Sequence, residues 1–381
     1  MNSSSNCTYD FENDEEDFLA FQYVIEIGII GPMCIFGLIG NALSFVILFR
    51  ENGSSPTFFL LRTVAVADSL MLVTSLLMYV VPGLMHYFKM DSYSHYKAYT
   101  AVSIWPFAMM AQTSTIWMVL VVAIERYIAI CWPTKARMLC TISHARKEVI
   151  GVTIFSVLFN IPRFFENYIT EDGCSMKMSF DFTELYNNPN YRIFYTVVLY
   201  SLVNAVIPLI TVSFININLT CSLRQASKAR KNMGVPIKVL EKKSESSITL
   251  VLVLIVVVFI ICQVPAMITH IWGEIIYHLA EHSTLMNYRY FAVFSNVMVI
   301  LNSSLNFLIY CAVGKRFRKL LKVEFRKLCC RKYQYVPSHS FYMDKTELTT
   351  VSTKRLTCSH SKSCSSSEME ERKETLTHVL S

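Results

Sequence analysis

The run YFAVFSNVMVILNSSLNFLIYCAV, from Tyr290 to Val313, contains no Asp, Glu, Lys or Arg. A hydrocarbon core about 30 Å thick is crossed by about 20 helical residues rising 1.5 Å each, so this run is long enough to span a bilayer. It is too polar for a plain anchor, because Asn302, Ser303, Ser304 and Asn306 interrupt its apolar character. A polar group at membrane depth is costly and needs either a partner or a task. Asn302 and Asn306 lie four apart and share one helix face, with Tyr310 a further turn along. Such a face belongs against other helices.

Six other stretches qualify as spans: Val24–Phe49, Phe58–Leu84, Tyr99–Ile130, Val149–Phe165, Ile193–Leu219 and Ile248–Trp272, the fourth being the shortest. Composition agrees, since 53% of the 381 residues are hydrophobic and 17% charged, against about a quarter charged in a soluble domain. The expected fold class is an all-α membrane protein, a seven-transmembrane helix bundle. Its 25 Phe, 20 Tyr and 18 Met against 11 Gly and 11 Pro exclude a collagenous or mostly disordered chain. The 12 Cys show no paired metal-ligand spacing, which argues against zinc. No nucleophile beside a base, phosphate loop or H-E-x-x-H motif occurs, so the chain is expected not to be an enzyme.

Orientation follows from the basic residues, since short loops rich in Lys and Arg stay cytoplasmic. The loop after span 3 holds Lys135, Arg137, Arg146 and Lys147, and the loop after span 5 holds Arg224, Lys228, Arg230, Lys231, Lys238, Lys242 and Lys243. The net charge of +7 is therefore read as topology, with no nucleic-acid partner expected. Asn2 and Asn6 head glycosylation acceptors, which need a lumenal amino terminus. The acidic stretch before span 1 lacks the basic region of a cleaved signal peptide, so span 1 is expected to direct insertion. Four segments result: a glycosylated acidic terminus (1–23), the seven-span body (24–313), a short amphipathic helix on the membrane surface (314–330) and a cytoplasmic tail (331–381). In the third, Phe317, Leu320, Leu321, Phe325 and Leu328 recur at helical spacing between basic residues, as suits anionic membrane lipids. Cys329 and Cys330 end it as candidate palmitoylation sites. The Ser- and Thr-rich tail is expected to be disordered and phosphorylatable.

Polar residues inside the other spans are few: Asn41, Asp68, Gln112, Thr113, Thr115 and Gln263. With Asn302 and Asn306 they form either a hydrogen-bonded knot or a functional network. Asp68, a lone carboxylate among amides and hydroxyls, either stays protonated or holds a sodium ion. Glu125-Arg126-Tyr127 ends span 3, and Arg126 either snorkels to the interface or sits at the inner mouth of the bundle, where Glu245 is a resting partner. Pro208 and Pro265 are expected to kink spans 5 and 6.

Gly40-Asn41, Val64-Ala65-Val66-Ala67-Asp68, Glu125-Arg126-Tyr127, Pro208, Cys262-Gln263-Val264-Pro265 and Asn302 to Tyr310 come in the order and spacing of a rhodopsin-like (class A) G-protein-coupled receptor. Within that family the chain resembles invertebrate FMRFamide-type neuropeptide receptors in Pro106–Thr113, Ala129–Thr141 and Asn160-Ile161-Pro162-Arg163-Phe164-Phe165-Glu166. It departs from the family pattern at several places. Thr100 and Ala101 stand where a cysteine normally ties span 3 to the second outer loop, span 4 lacks Trp, and Asn216 replaces the usual Tyr. The loop keeps Cys174, so the resemblance implies a bridge to Cys7, the other clearly lumenal cysteine; the alternative is two free or intermolecular thiols.

The resemblance implies a peptide ligand outside and a heterotrimeric G protein inside, with arrestin and a receptor kinase engaging the tail. No acid lies between Asp91 and Glu125 to hold an amine, and span 7 has no Schiff-base Lys. A peptide ending in Arg-Phe-amide would want an acidic rim from Glu166, Glu171, Asp172, Glu274 and Glu281, and walls from Trp105, Met109, Phe165 and Trp272. Gln112 and Gln263 would form the floor, with Thr269, His270 and Asn296 alongside. Each of these has a plainer reading as core filler, lipid contact or solvated charge. A different peptide or a lipid ligand stays open, while a transporter or channel would need repeats with broken helices or a pore-lining file of charges, which the sequence lacks.

Overall fold

The computed structural model describes residues 16–50, 55–171, 178–232, 240–279, 282–313, 317–323 and 326. Seven helices are long and apolar enough to cross a membrane among them. They are α1 (Glu16–Phe49), α2 (Pro56–Tyr87), α3 (Tyr93–Cys131), α4 (Ile142–Phe165) and α5 (Pro189–Ser222), then α6 (Leu240–Leu279) and α7 (His282–Val313). Most run past the apolar spans read from sequence, because helix continues into the interface where hydropathy no longer marks it. α1 packs on α2, α2 on α3, α5 and α4 on α3, α6 on α7, and α7 back on α1, which closes a bundle around α3.

Side chains sort by neighbour. Leu60, Val64, Met118, Val122 and Tyr310 form a buried inner cluster. Ile150, Ile154 and Leu158 of α4 and Ile210, Phe214 and Ile217 of α5 face outward, as lipid-exposed positions do. α1 approaches α7 closely at Gly37 and Gly40, where an added Cβ would lie 2.8 Å from Ser304 Oγ and 2.7 Å from Phe307 Cβ. That approach lets Asn41 Nδ2 donate to Ser303 O at 3.1 Å.

Four prolines share one device. Gly31, Val81, Trp105 and Ile207 each donate their N–H five residues back, and Pro32, Pro82, Pro106 and Pro208 follow immediately. The widened turn gives the proline ring room where it would otherwise strike the preceding carbonyl. Pro265 instead lies inside helical α6. α2 ends with Lys89 at φ 51°, where Met90 N–H bonds Met85 O and Lys89 N–H bonds His86 O, a cap that glycine usually supplies.

Between α4 and α5, β1 (Asn167–Glu171) pairs antiparallel with β2 (Met178–Phe182), Asn167 opposite Phe182. Hydropathy of the spans does not mark this hairpin, but alternating β-branched and aromatic residues in NYITE and MSFDF signal it. After α7, residues 317–323 form α8. Phe317 is buried 5.5 Å from the Tyr310 ring, and Arg318 Nη1 donates to Cys311 O and Ala312 O, which satisfies the end of α7. Asn2, Asn6, Cys7, Cys174, Cys329, Cys330 and the tail lie outside the described residues.

Candidate functional site

Polar residues gather in two places, an outer one at the hairpin end of the bundle and an inner one toward its opposite end. Helices α2 to α7 and the hairpin enclose an outward-opening cavity of about 1450 Å³ including its mouth. Of the residues expected there, Trp105, Met109, Gln112, Glu166, Thr269, His270 and Asn296 line it. Tyr200 donates its hydroxyl to Gln112 Oε1 at 3.2 Å and stacks obliquely on His270 with centroids 4.6 Å apart. The cavity wall is thus built from α3, α5 and α6 jointly.

Five expected residues sit elsewhere. Phe165 is 62% exposed and does not line the cavity. Trp272 packs behind the wall, 6.1 Å from Tyr288 and 5.5 Å from Phe291. Gln263 is buried and donates to Asn204 O at 3.4 Å. Glu274 binds Arg192 at 2.8 Å, joining α6 to α5 near their outer ends. Glu171 is exposed in β1, and Asp172 and Glu281 lie outside the described residues.

The rim acid Glu166 already has partners. Arg163 Nη1 donates to both its oxygens at 3.0 and 3.2 Å, and the Tyr191 hydroxyl donates at 2.9 Å. The Arg163 guanidinium lies over the rings of Tyr195 at 5.1 Å and Tyr200 at 4.9 Å. Tyr186 also lines the cavity; burial, and after it the nearby Glu166 carboxylate, raises its phenol above the usual range and keeps it neutral. In sequence Arg163 belongs to the family-like stretch Asn160–Glu166. The available signal was an Arg and a Glu three residues apart at the outer end of an apolar span, the spacing of a helical pair.

At the inner site Asp68 is fully buried and accepts from Asn306 Nδ2 at 2.6 Å. Ser303 and Thr115 stand beside the same carboxylate. Asp68 Oδ1 and Thr115 Oγ1 have no hydrogen-bond partner among the described residues. Asn302, one turn before Asn306, is also buried. Further in, Arg126 Nε bonds Glu125 Oε2 at 2.8 Å, and Thr57 Oγ1 donates to both Glu125 oxygens at 3.0 and 3.1 Å. The Glu245 side chain, expected as the partner of Arg126, lies outside those described. Arg126, Asn216 and Tyr310 line an apolar crevice between α2, α3, α5 and α7, while Tyr127 packs against Trp132 at 5.6 Å.

The chain matches known proteins over most of its length. The family described as 7 transmembrane receptor (rhodopsin family) matches residues 40–310. The FMRFamide receptor of Drosophila melanogaster is 29% identical over 309 residues, 79% of this chain and 53% of that receptor. The FMRFamide peptide receptor frpr-18 of Caenorhabditis elegans is 26% identical over 302 residues, 77% of this chain and 67% of the relative. A thyrotropin-releasing hormone receptor of Gallus gallus is 27% identical over 337 residues, 82% and 81% of the two chains. The chain thus spans about half the length of the Drosophila relative.

Proposed function

The chain belongs to the rhodopsin family of seven-transmembrane receptors, and on that premise we propose that it is a plasma-membrane receptor for an amidated neuropeptide ending in Arg-Phe-amide. The observation that carries the reading is a wide cavity whose lining carboxylate is already bonded within the protein. Glu166 is held by Arg163 and Tyr191, and Glu274, behind the lining, is held by Arg192. A small amine would find no lone anion on α3, whereas the neutral, aromatic end of such a peptide suits a wall that includes Gln112, His270, Trp105 and Met109. The ligand's own guanidinium is served by aromatic faces such as Phe180 and Phe182 and by exposed Glu171. The names of the Drosophila and Caenorhabditis relatives support this ligand class.

The amino terminus lies outside and the tail inside, as the basic loops require. Binding shifts the population toward a state in which α6 swings at Pro265, Arg126 leaves its carboxylate partner, and the inner crevice admits a heterotrimeric G protein. Asp68 Oδ1 and Thr115 Oγ1, both buried without hydrogen-bond partners among the described residues, fit a sodium ion with Ser303 beside the same carboxylate; the ion would supply a positive charge that favours the resting packing. Phosphorylation of the tail by a receptor kinase adds the charge that recruits arrestin.

The test is a calcium and cAMP response in cells displaying the chain, challenged with amidated peptides and their free acids. Responses to Arg-Phe-amide peptides support the reading; silence to all of them, with surface display confirmed, overturns it. A second reading, another peptide, is favoured by the similarity to the thyrotropin-releasing hormone receptor, and a response confined to other members of the panel would establish it.

A further inference from the structure

Arg163 is only 3% exposed and lines the outer cavity. A guanidinium has five N–H donors, yet only Nη1 is used on Glu166. Its Nε and Nη2 have no hydrogen-bond partner among the described residues. Buried donors left unmet are costly, and each such group calls for a reason. Two further unmet polar atoms, Asn167 Oδ1 and Thr196 Oγ1, belong to residues lining the same cavity. Three residues of the cavity lining thus carry buried polar atoms that the fold itself leaves unused: a charged donor group, an amide acceptor and a hydroxyl.

We infer that Arg163 holds the carbonyl oxygen of the ligand's C-terminal carboxamide, and that the Arg163–Glu166 pair selects the amide over the free acid. The inference rests on the peptide reading above. A carboxamide supplies one acceptor for Arg163 and an NH₂ for Asn167 Oδ1, and it brings no charge. A carboxylate would bring a second anion beside Glu166, whose negative charge already balances Arg163, in a site poorly served by water. The flanking Tyr195 and Tyr200 rings hold the guanidinium in place, so little further ordering is needed when the ligand arrives. Selectivity then depends on the charge balance of two residues three apart on one helical turn.

The experiment uses the full chain with an extracellular epitope tag and two probes, Phe-Met-Arg-Phe-amide and its free acid. In the unaltered receptor the amide should be more potent by about tenfold or more. Glu166→Gln leaves the Arg163 charge unbalanced, so the free acid should gain about tenfold relative to the amide. An unchanged ratio in that variant, with the amide response retained, overturns the inference and leaves the peptide reading intact. Equal potency of the two probes on the unaltered receptor does the same. No response to either probe from the unaltered receptor removes the ligand reading, and this inference with it. If Glu166→Gln does not reach the surface, the double change Arg163→Gln with Glu166→Gln replaces the pair with neutral groups. The amide should then lose about tenfold in potency; full potency overturns the inference.

Discussion

Two buried carboxylates, one in each half of the bundle, have been given different company. Glu166 faces the outer cavity with a guanidinium and a phenol bonded to it, so its negative charge is balanced by a neighbour on its own helical turn. Asp68 is enclosed among α2, α3 and α7 with an amide bonded to one oxygen and no hydrogen-bond partner for the other among the described residues. No cation of the protein forms an ion pair with it among the described residues. A carboxylate with a fixed cation keeps its charge in every conformation, whereas one without must change protonation, gain an ion or regroup its neighbours when the helices move. The outer half is thereby suited to recognition by a standing charge pattern, and the inner half to responding.

The comparison can be broken first at Arg126, the inner cation nearest the crevice. Arg126→Ala should abolish the calcium or cAMP response while displacement of a labelled peptide at the cell surface is retained; a full response would remove this residue from the switch. Next comes the other outer ion pair. Arg192→Ala removes the guanidinium that Glu274 binds near the α5–α6 junction, at a cost of about 3 kcal/mol. Lower surface expression and a reduced melting temperature of the purified receptor are the expected readings. An equal loss from Asp68→Asn would erase the distinction drawn here, because that change exchanges a carboxylate lacking an ion-pair partner for an amide of the same size.

Asp68→Asn sharpens the inner side of the contrast. Replacing sodium with choline in the medium should raise agonist affinity a few-fold in the unaltered receptor, about 1 kcal/mol of coupling, and have no effect in the variant. Persisting sodium sensitivity in Asp68→Asn would place the ion elsewhere. The smallest effect is expected from Phe165→Ala. That ring is 62% exposed, so agonist potency and stability should stay within about 0.5 kcal/mol of the original; a large loss of potency would return it to the ligand's surroundings.

The inner site was the more legible of the two. Asp68, Arg126, Asn302 and Asn306 stand out because a polar residue in an apolar run is conspicuous whatever its partner. The outer site was legible in type and less so in place. Trp105, Met109 and Gln112 lie on one helix at spacings of three and four, which a periodic reading can follow. Phe165 and Arg163 sit two apart where α4 tightens into a 3₁₀ turn over Ile161–Phe165. Adjacent residues of an α-helix differ by about 100° in direction, so a change of winding over one turn decides which of two neighbours meets the cavity.

The sequence by itself determined seven spans, their order and the set of motifs that marks the family, because hydropathy and spacing along a helix are local properties. Tertiary structure alone decided which groups on different helices meet. Glu274 and Arg192 lie 82 positions apart and Thr113 and Asn160 lie 47 apart, and no periodicity within one helix foretells a partner on another. Whether a buried acid is free to meet a ligand depends on that partner, since a pair of opposite charges in a low-dielectric site is worth far more than either residue's own preference.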